Sequence, residues 1–266
     1  MNRFGSLPFP SNSISRLGYF GVFCLPGGFQ ILQKEPLLVP VKVKNPDDSE
    51  QEAQLPVLLP HKILEHLISE CGFHIDDDLV RKYWQGLEKS QHELAVKTRD
   101  FRMLVDKPVL PLGIHGDEAS MAIISAPYDK IYGVFLNIVL FRPTTTRLSR
   151  FLLCSIDSSR VCSLEDTMYP LLEEIKNSLN FACETGVAGR RFLVSELRGD
   201  QAWFRYIFHH RSWWLAREVC FKCKASIDAG HNCYTNYDID LGPRTTEEFI
   251  LEELPRDGLL WSLGNA

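Results

Sequence analysis

The chain has 266 residues, an apolar fraction of 45%, a charged fraction of 24% and a formal net charge of -5. These values belong to an ordinary globular protein large enough for a full core, and they exclude chain-wide disorder. The acidic balance excludes a broadly basic nucleic-acid-binding surface, so any such role has to rest on local chemistry. Most of the eight cysteines stand singly in apolar segments, unlike the dense framework of a small secreted domain. The apolar stretch from Leu17 to Leu32 is broken by Gly18, Gly21, Pro26, Gly27 and Gly28, too interrupted for a membrane helix, and it has no clear cleavage site. The expectation is an intracellular, reduced, soluble protein.

Residues 1–34 show no sustained period and read as an irregular lead-in. Leu37 to Val43 alternates as a strand, a polar turn runs through Gln54, and Leu55 to Leu59 resumes the strand as the second arm of a hairpin. Pro60 opens a helix whose apolar face is Ile63, Leu64, Leu67, Ile68 and Cys71, with Gly72 to end it. A second helix begins near Asp76 and runs to about Lys97, with Leu79, Tyr83, Leu87 and Leu94 as its apolar side. Tyr83 and Trp84 read as core or interface aromatics.

From Phe101 the texture changes to strands. Val109 to Asp117 ends on a His-Gly-Asp turn, and Tyr132 to Phe141 and Arg150 to Ile156 follow as a meander. Ser163 caps a helix carrying Met168, Leu171, Leu172, Ile175, Leu179 and Ala182, which begins at Ser163 or at Pro170 and closes at Gly186. Arg191 to Asp200 returns as a strand, and Gln201 to His210 is a short helix. A helical crossover brings the fourth strand in parallel to its neighbour. If that neighbour is the first strand, Asp117 and Asp200 converge.

Two adjacent carboxylates repel unless a cation neutralises them. Mg²⁺ or Mn²⁺ is the natural partner, because such hard ions take one or two carboxylates and leave room for waters and phosphates. Two such ions activate a nucleophile and stabilise the leaving oxygen of a phosphodiester. The competing reading makes each Gly-Asp an ordinary turn, with Asp200 capping the next helix. His115 and Glu118 flank Asp117 as supporting groups or plain surface residues, and Asp157 is a rival ligand.

This order, with LGIHGDEAS at 112–120, ELRGDQAWFRYIF at 196–208 and CFKCKA at 220–225, resembles the DDE transposases of the Plavaka and CACTA kind over roughly residues 101–250. The resemblance implies a ribonuclease-H-like α/β fold, a mixed sheet in the order strand, strand, strand, helix, strand, helix. It also implies metal-binding, catalytic roles for Asp117 and Asp200, DNA as the partner and a nuclear location. The family's third acid has no assignable counterpart: Glu247, Glu248, Glu252 and Glu253 lie in a charged, helical-looking stretch. A truncated or domesticated relative with impaired cleavage is the expectation.

Cys220 and Cys223 supply two corners of a tetrahedral Zn²⁺ site, which His231 and Cys233 complete, with His209 and His210 as alternative donors. Free thiols in a loop are the competing reading. Arg205, Arg211, Arg217, Lys222 and Lys224, interleaved with Phe204, Tyr206, Phe208, Trp213 and Trp214, make the candidate nucleic-acid surface. The expected division is an irregular, hairpin and helical region at 1–100, the ribonuclease-H-like core at 101–212, and a small cysteine-containing loop module with the tail at 213–266. The alternative function is a non-enzymatic interaction module built around a structural zinc loop. No membrane association is expected in either case.

Overall fold

The computed structural model describes residues 35–120, 130–141 and 149–208, and the backbone of two short paired strands, β1 (Cys24–Leu25) and β2 (Phe29–Gln30). Strands β3 (Leu37–Lys44) and β4 (Glu50–Val57) form an antiparallel hairpin. Val39, Val41 and Val43 alternate inward along β3. The turn is shorter than the sequence suggests. It closes over Asn45 to Ser49, where Asp48 takes φ 63° and the Asp47 carboxylate accepts the Ser49 backbone N–H. The polar run Glu50 to Gln54 is therefore strand, since ladder pairing uses backbone groups and leaves its mostly exposed side chains in solvent.

Helix α1 (Pro60–Ser69) starts on its proline and buries Ile63, Leu64 and Leu67, as its spacing predicts. Helix α2 (Asp77–Lys89) is capped by Asp76, whose carboxylate accepts the Asp78 N–H. Its fully buried residues are Val80 and Trp84, whereas Leu79 is 44% exposed, so the inward face is rotated from the one read in the sequence. Nor does the helix continue to Lys97. Gln91 at φ 55° breaks it, and two short helices follow, α3 (Glu93–Lys97) and α4 (Arg99–Met103), where strand texture was expected from Phe101. The reason is Arg102. Its guanidinium lies 4.4 Å from the Trp84 ring centroid, pairs with Glu88 at 2.7 Å and donates to the Ala95 carbonyl at 2.6 Å, folding the chain back onto α2.

The centre of the molecule is a mixed four-stranded sheet. Strands β5 (Leu110–Ser120), β6 (Lys130–Ile138) and β7 (Arg150–Asp157) form the antiparallel meander. A π-helical turn at Leu164–Met168, capped by Ser163, leads into α5 (Tyr169–Glu184), so the helix proper begins beside Pro170. Gly186, at φ 83°, ends the crossover. Strand β8 (Phe192–Arg198) then joins β5 in parallel, giving the order β7-β6-β5-β8, and α6 (Gln201–Phe208) follows. Buried side chains from the hairpin, α1, α2, α5, α6 and the sheet form one continuous core. Among the described residues no helix is long and apolar enough to cross a membrane.

Candidate functional site at the carboxyl ends of β5 and β8

Alternation divides the side chains of β5 between two faces. Leu110, Leu112, Ile114 and Gly116 face the core, beside Ile138, Leu136 and Val134 of β6. Gly113, His115 and Asp117 face the other way, opposite Asn137, Phe135 and Gly133. The next strand continues these rows, Arg150 beside Asn137 and Leu152 beside Phe135.

A bulge decides what β8 contributes. The register with β5 shifts after Leu112, leaving Ser195 as the extra residue, so Glu196 pairs with Gly113 and Arg198 with His115. One slipped residue exchanges faces for everything beyond it. Without the slip, both charges would point into the core. Ser195 is held in place because its hydroxyl donates to the Leu112 carbonyl at 3.3 Å and accepts from the Tyr83 hydroxyl at 3.0 Å.

The strand carrying Asp117 does not turn at His-Gly-Asp, as the sequence suggested; β5 runs on to Ser120. Gly116 is glycine for packing. A Cβ there would lie 1.6 Å from the Trp203 ring, which α6 lays against the strand. The glycine of the second Gly-Asp answers to the same ring, since a Cβ on Gly199 would stand 2.8 Å from Trp203 and 3.1 Å from the Gly116 carbonyl oxygen. The two glycines thus meet at one tryptophan. Asp117 and Asp200 each follow one of the touching glycines, at the same end of neighbouring parallel strands.

Their side chains have different surroundings. Asp117, 48% exposed at its side chain, lies with one oxygen 3.6 Å from His115 Nε2. Asp200 caps α6, its Oδ1 accepting the Trp203 backbone N–H at 2.6 Å. The helix-cap role read from the sequence is therefore present, and it uses one of two carboxylate oxygens. Glu118, on the core-facing row, pairs with Lys130, and Glu118 and Asp200 both hold the Lys130 ammonium above its usual range. Asp157 is occupied elsewhere: it caps the turn after β7 by accepting from the Ser159 N–H at 2.9 Å and hydroxyl at 2.8 Å.

His115 is the least satisfied group of the site. Its side chain is 13% exposed, and both ring nitrogens are buried without a hydrogen-bond partner. Burial first, then the charge of Arg150, push the imidazole below its ordinary pKa; Asp117 pulls it up, and Arg198 adds to the lowering. Arg198 pairs with Glu196. Among the described residues no ion pair or side-chain hydrogen bond engages Arg150. Sequence reading passed over Asn137, Arg150, Glu196 and Arg198, since only the ladder partners and the bulge place them beside His115.

Among the described residues no group of three or more His, Cys, Asp or Glu is arranged to hold a metal ion. Cys220, Cys223, His231 and Cys233, the expected zinc ligands, lie outside the described residues, as do Arg211, Arg217, Lys222 and Lys224. Arg205 falls on α6, and its side chain is also outside them. No family model, curated protein or solved structure matches the chain.

Proposed function

We propose that the chain is a transposase-derived, ribonuclease-H-like module that acts on nucleic acid through Asp117 and Asp200. The observation that supports this reading is that Gly116 and Gly199 meet at Trp203, so that Asp117 and Asp200 follow them at the same end of adjacent parallel strands in the order β7-β6-β5-β8. Hard oxygen donors suit Mg²⁺ or Mn²⁺, and an exposed pair leaves the ion the waters it tends to keep. Asp117 and the uncapped oxygen of Asp200 would hold it, and the ion when bound would polarise a phosphodiester oxygen and generate hydroxide. His115, whose pKa burial and the charge of Arg150 lower, borders Asp117 as a positioning group. Zn²⁺ at Cys220, Cys223, His231 and Cys233 belongs to the same reading, as does a nuclear location.

The test is cleavage of end-labelled DNA in Mn²⁺ by the full chain. Cleavage that disappears in both Asp117→Ala and Asp200→Ala supports the reading; cleavage that survives either change refutes the assignment.

The helix cap favours a second reading. With one Asp200 oxygen committed to the Trp203 N–H, the sheet also suits a non-enzymatic interaction module. That module binds its partner equally well with and without divalent metal, and Asp117→Ala leaves the binding intact.

A further inference from the structure

We infer that the polar face of the sheet is a phosphate-binding surface for a nucleic-acid strand, with Arg150, His115 and Arg198 as its donors. The polymer class rests on the function proposed above; the surface itself rests on the arrangement of side chains. Arg150 lies on β7 and Arg198 on β8, the two outer strands, with Asn137 and His115 between them. Arg150 shares its row with Asn137, Gly113 and Glu196, and Arg198 stands two residues further along, so from the usual strand spacing and rise the two arginine backbones are about 16 Å apart. That width is too great for one phosphate and suits two phosphates of a continuous strand.

Two features point to a ligand that donors must meet. Arg150 has no anionic partner among the described residues. Nδ1 of His115 is buried without a hydrogen-bond partner, while Nε2 lies 3.6 Å from the Asp117 carboxylate, so the Nδ1–H tautomer has a donor that meets nothing. Gly113 and Asn137 are buried beneath this face, so an anion meets the donors at its rim, where Arg198 is exposed and Arg150 half-buried. There the anion takes donors from Arg150 and His115, while Arg198, 50% exposed at its side chain, shares itself between Glu196 and a second phosphate. Charge-assisted bonds of this kind are strong when partly desolvated. Glu196 and Asp117 border the same face and repel any anion, so the phosphates have to sit over the arginines rather than over the carboxylates.

The experiment is fluorescence anisotropy of a labelled single-stranded oligonucleotide with the full chain in EDTA, where no divalent ion contributes. Arg150→Gln and Arg198→Gln are expected to weaken binding about tenfold each, and each to reduce the slope of affinity against salt by about one phosphate contact. His115→Gln is expected to weaken it less, and Lys62→Gln, an exposed change on α1, to leave it within about twofold. Melting curves identify any variant that has lost its fold, and the remaining arginine variant then decides. The inference is overturned if the wild type does not bind, if both arginine variants bind as tightly as the wild type, or if polyglutamate competes as well as unlabelled oligonucleotide. Because the assay excludes metal, loss of Mn²⁺-dependent cleavage refutes the catalytic reading without touching this one.

Discussion

The two faces of the central sheet are built from the same strands and obey different rules. On the core-facing side Leu112, Ile114, Val134, Leu136, Ile138 and Phe151 are almost wholly buried against their neighbours, and Trp203 seals the end over Gly116. On the other side, one residue along each strand, stand His115, Asp117, Asn137, Arg150, Glu196 and Arg198. The first face holds the fold through apolar area; the second contributes less to stability and keeps groups whose hydrogen-bonding capacity is unused. A site and a core therefore lie back to back, joined by the glycines that let Trp203 approach.

Substitutions on the two faces should separate them clearly. The largest effect is expected from Trp203→Ala, which opens a cavity at the junction of β5, β8 and α6 and should cost about 3–5 kcal/mol in urea denaturation. Gly116→Ala forces a methyl into the Trp203 ring and should cost about 3 kcal/mol, with much of that cost absent in the Trp203→Ala background. Asp200→Ala removes the α6 cap and should cost about 1 kcal/mol. If it costs nothing, the carboxylate is not committed to the helix.

The smallest change belongs to the polar face. His115→Phe replaces an imidazole with unpaired nitrogens and should alter stability by less than about 1 kcal/mol. It should also change the pH dependence. The folded pKa of His115 lies below the unfolded one, so the unfolded chain takes the proton more readily, and wild-type stability falls as pH drops through the ordinary imidazole range. Melting curves between neutral and mildly acidic pH should show that loss in the wild type and less of it in His115→Phe.

Much of the fold was legible because its signals are local. Apolar alternation marked the strands, helical spacing marked α1 and α5, and the helical crossover implied that β8 returns in parallel. The misread parts depend on contacts distant in sequence. Nothing in Leu79, Val80 and Trp84 taken alone shows that Arg102 will fold α3 and α4 back over α2. The site was half legible in the same sense. Asp117 and Asp200 stand out through their glycines, yet the sequence suggests turns where the structure has a tryptophan packed on both. Arg150, Glu196 and Arg198 were invisible, since a bulge at Ser195 turns the last two onto the face of His115. A bulge is fixed by tertiary hydrogen bonds, here through Tyr83, rather than by composition.

The most direct test of the central claim, that Asp117 and Asp200 serve one site, is paramagnetic broadening of backbone amide signals by Mn²⁺ in the full chain. Asp117 and its neighbours on β5 and Gly199 and Asp200 beyond β8 are expected to broaden together at the same Mn²⁺ concentration, and either Asp117→Ala or Asp200→Ala to abolish both effects. Broadening at one aspartate that persists when the other is removed, or broadening confined to other acidic residues, would contradict it.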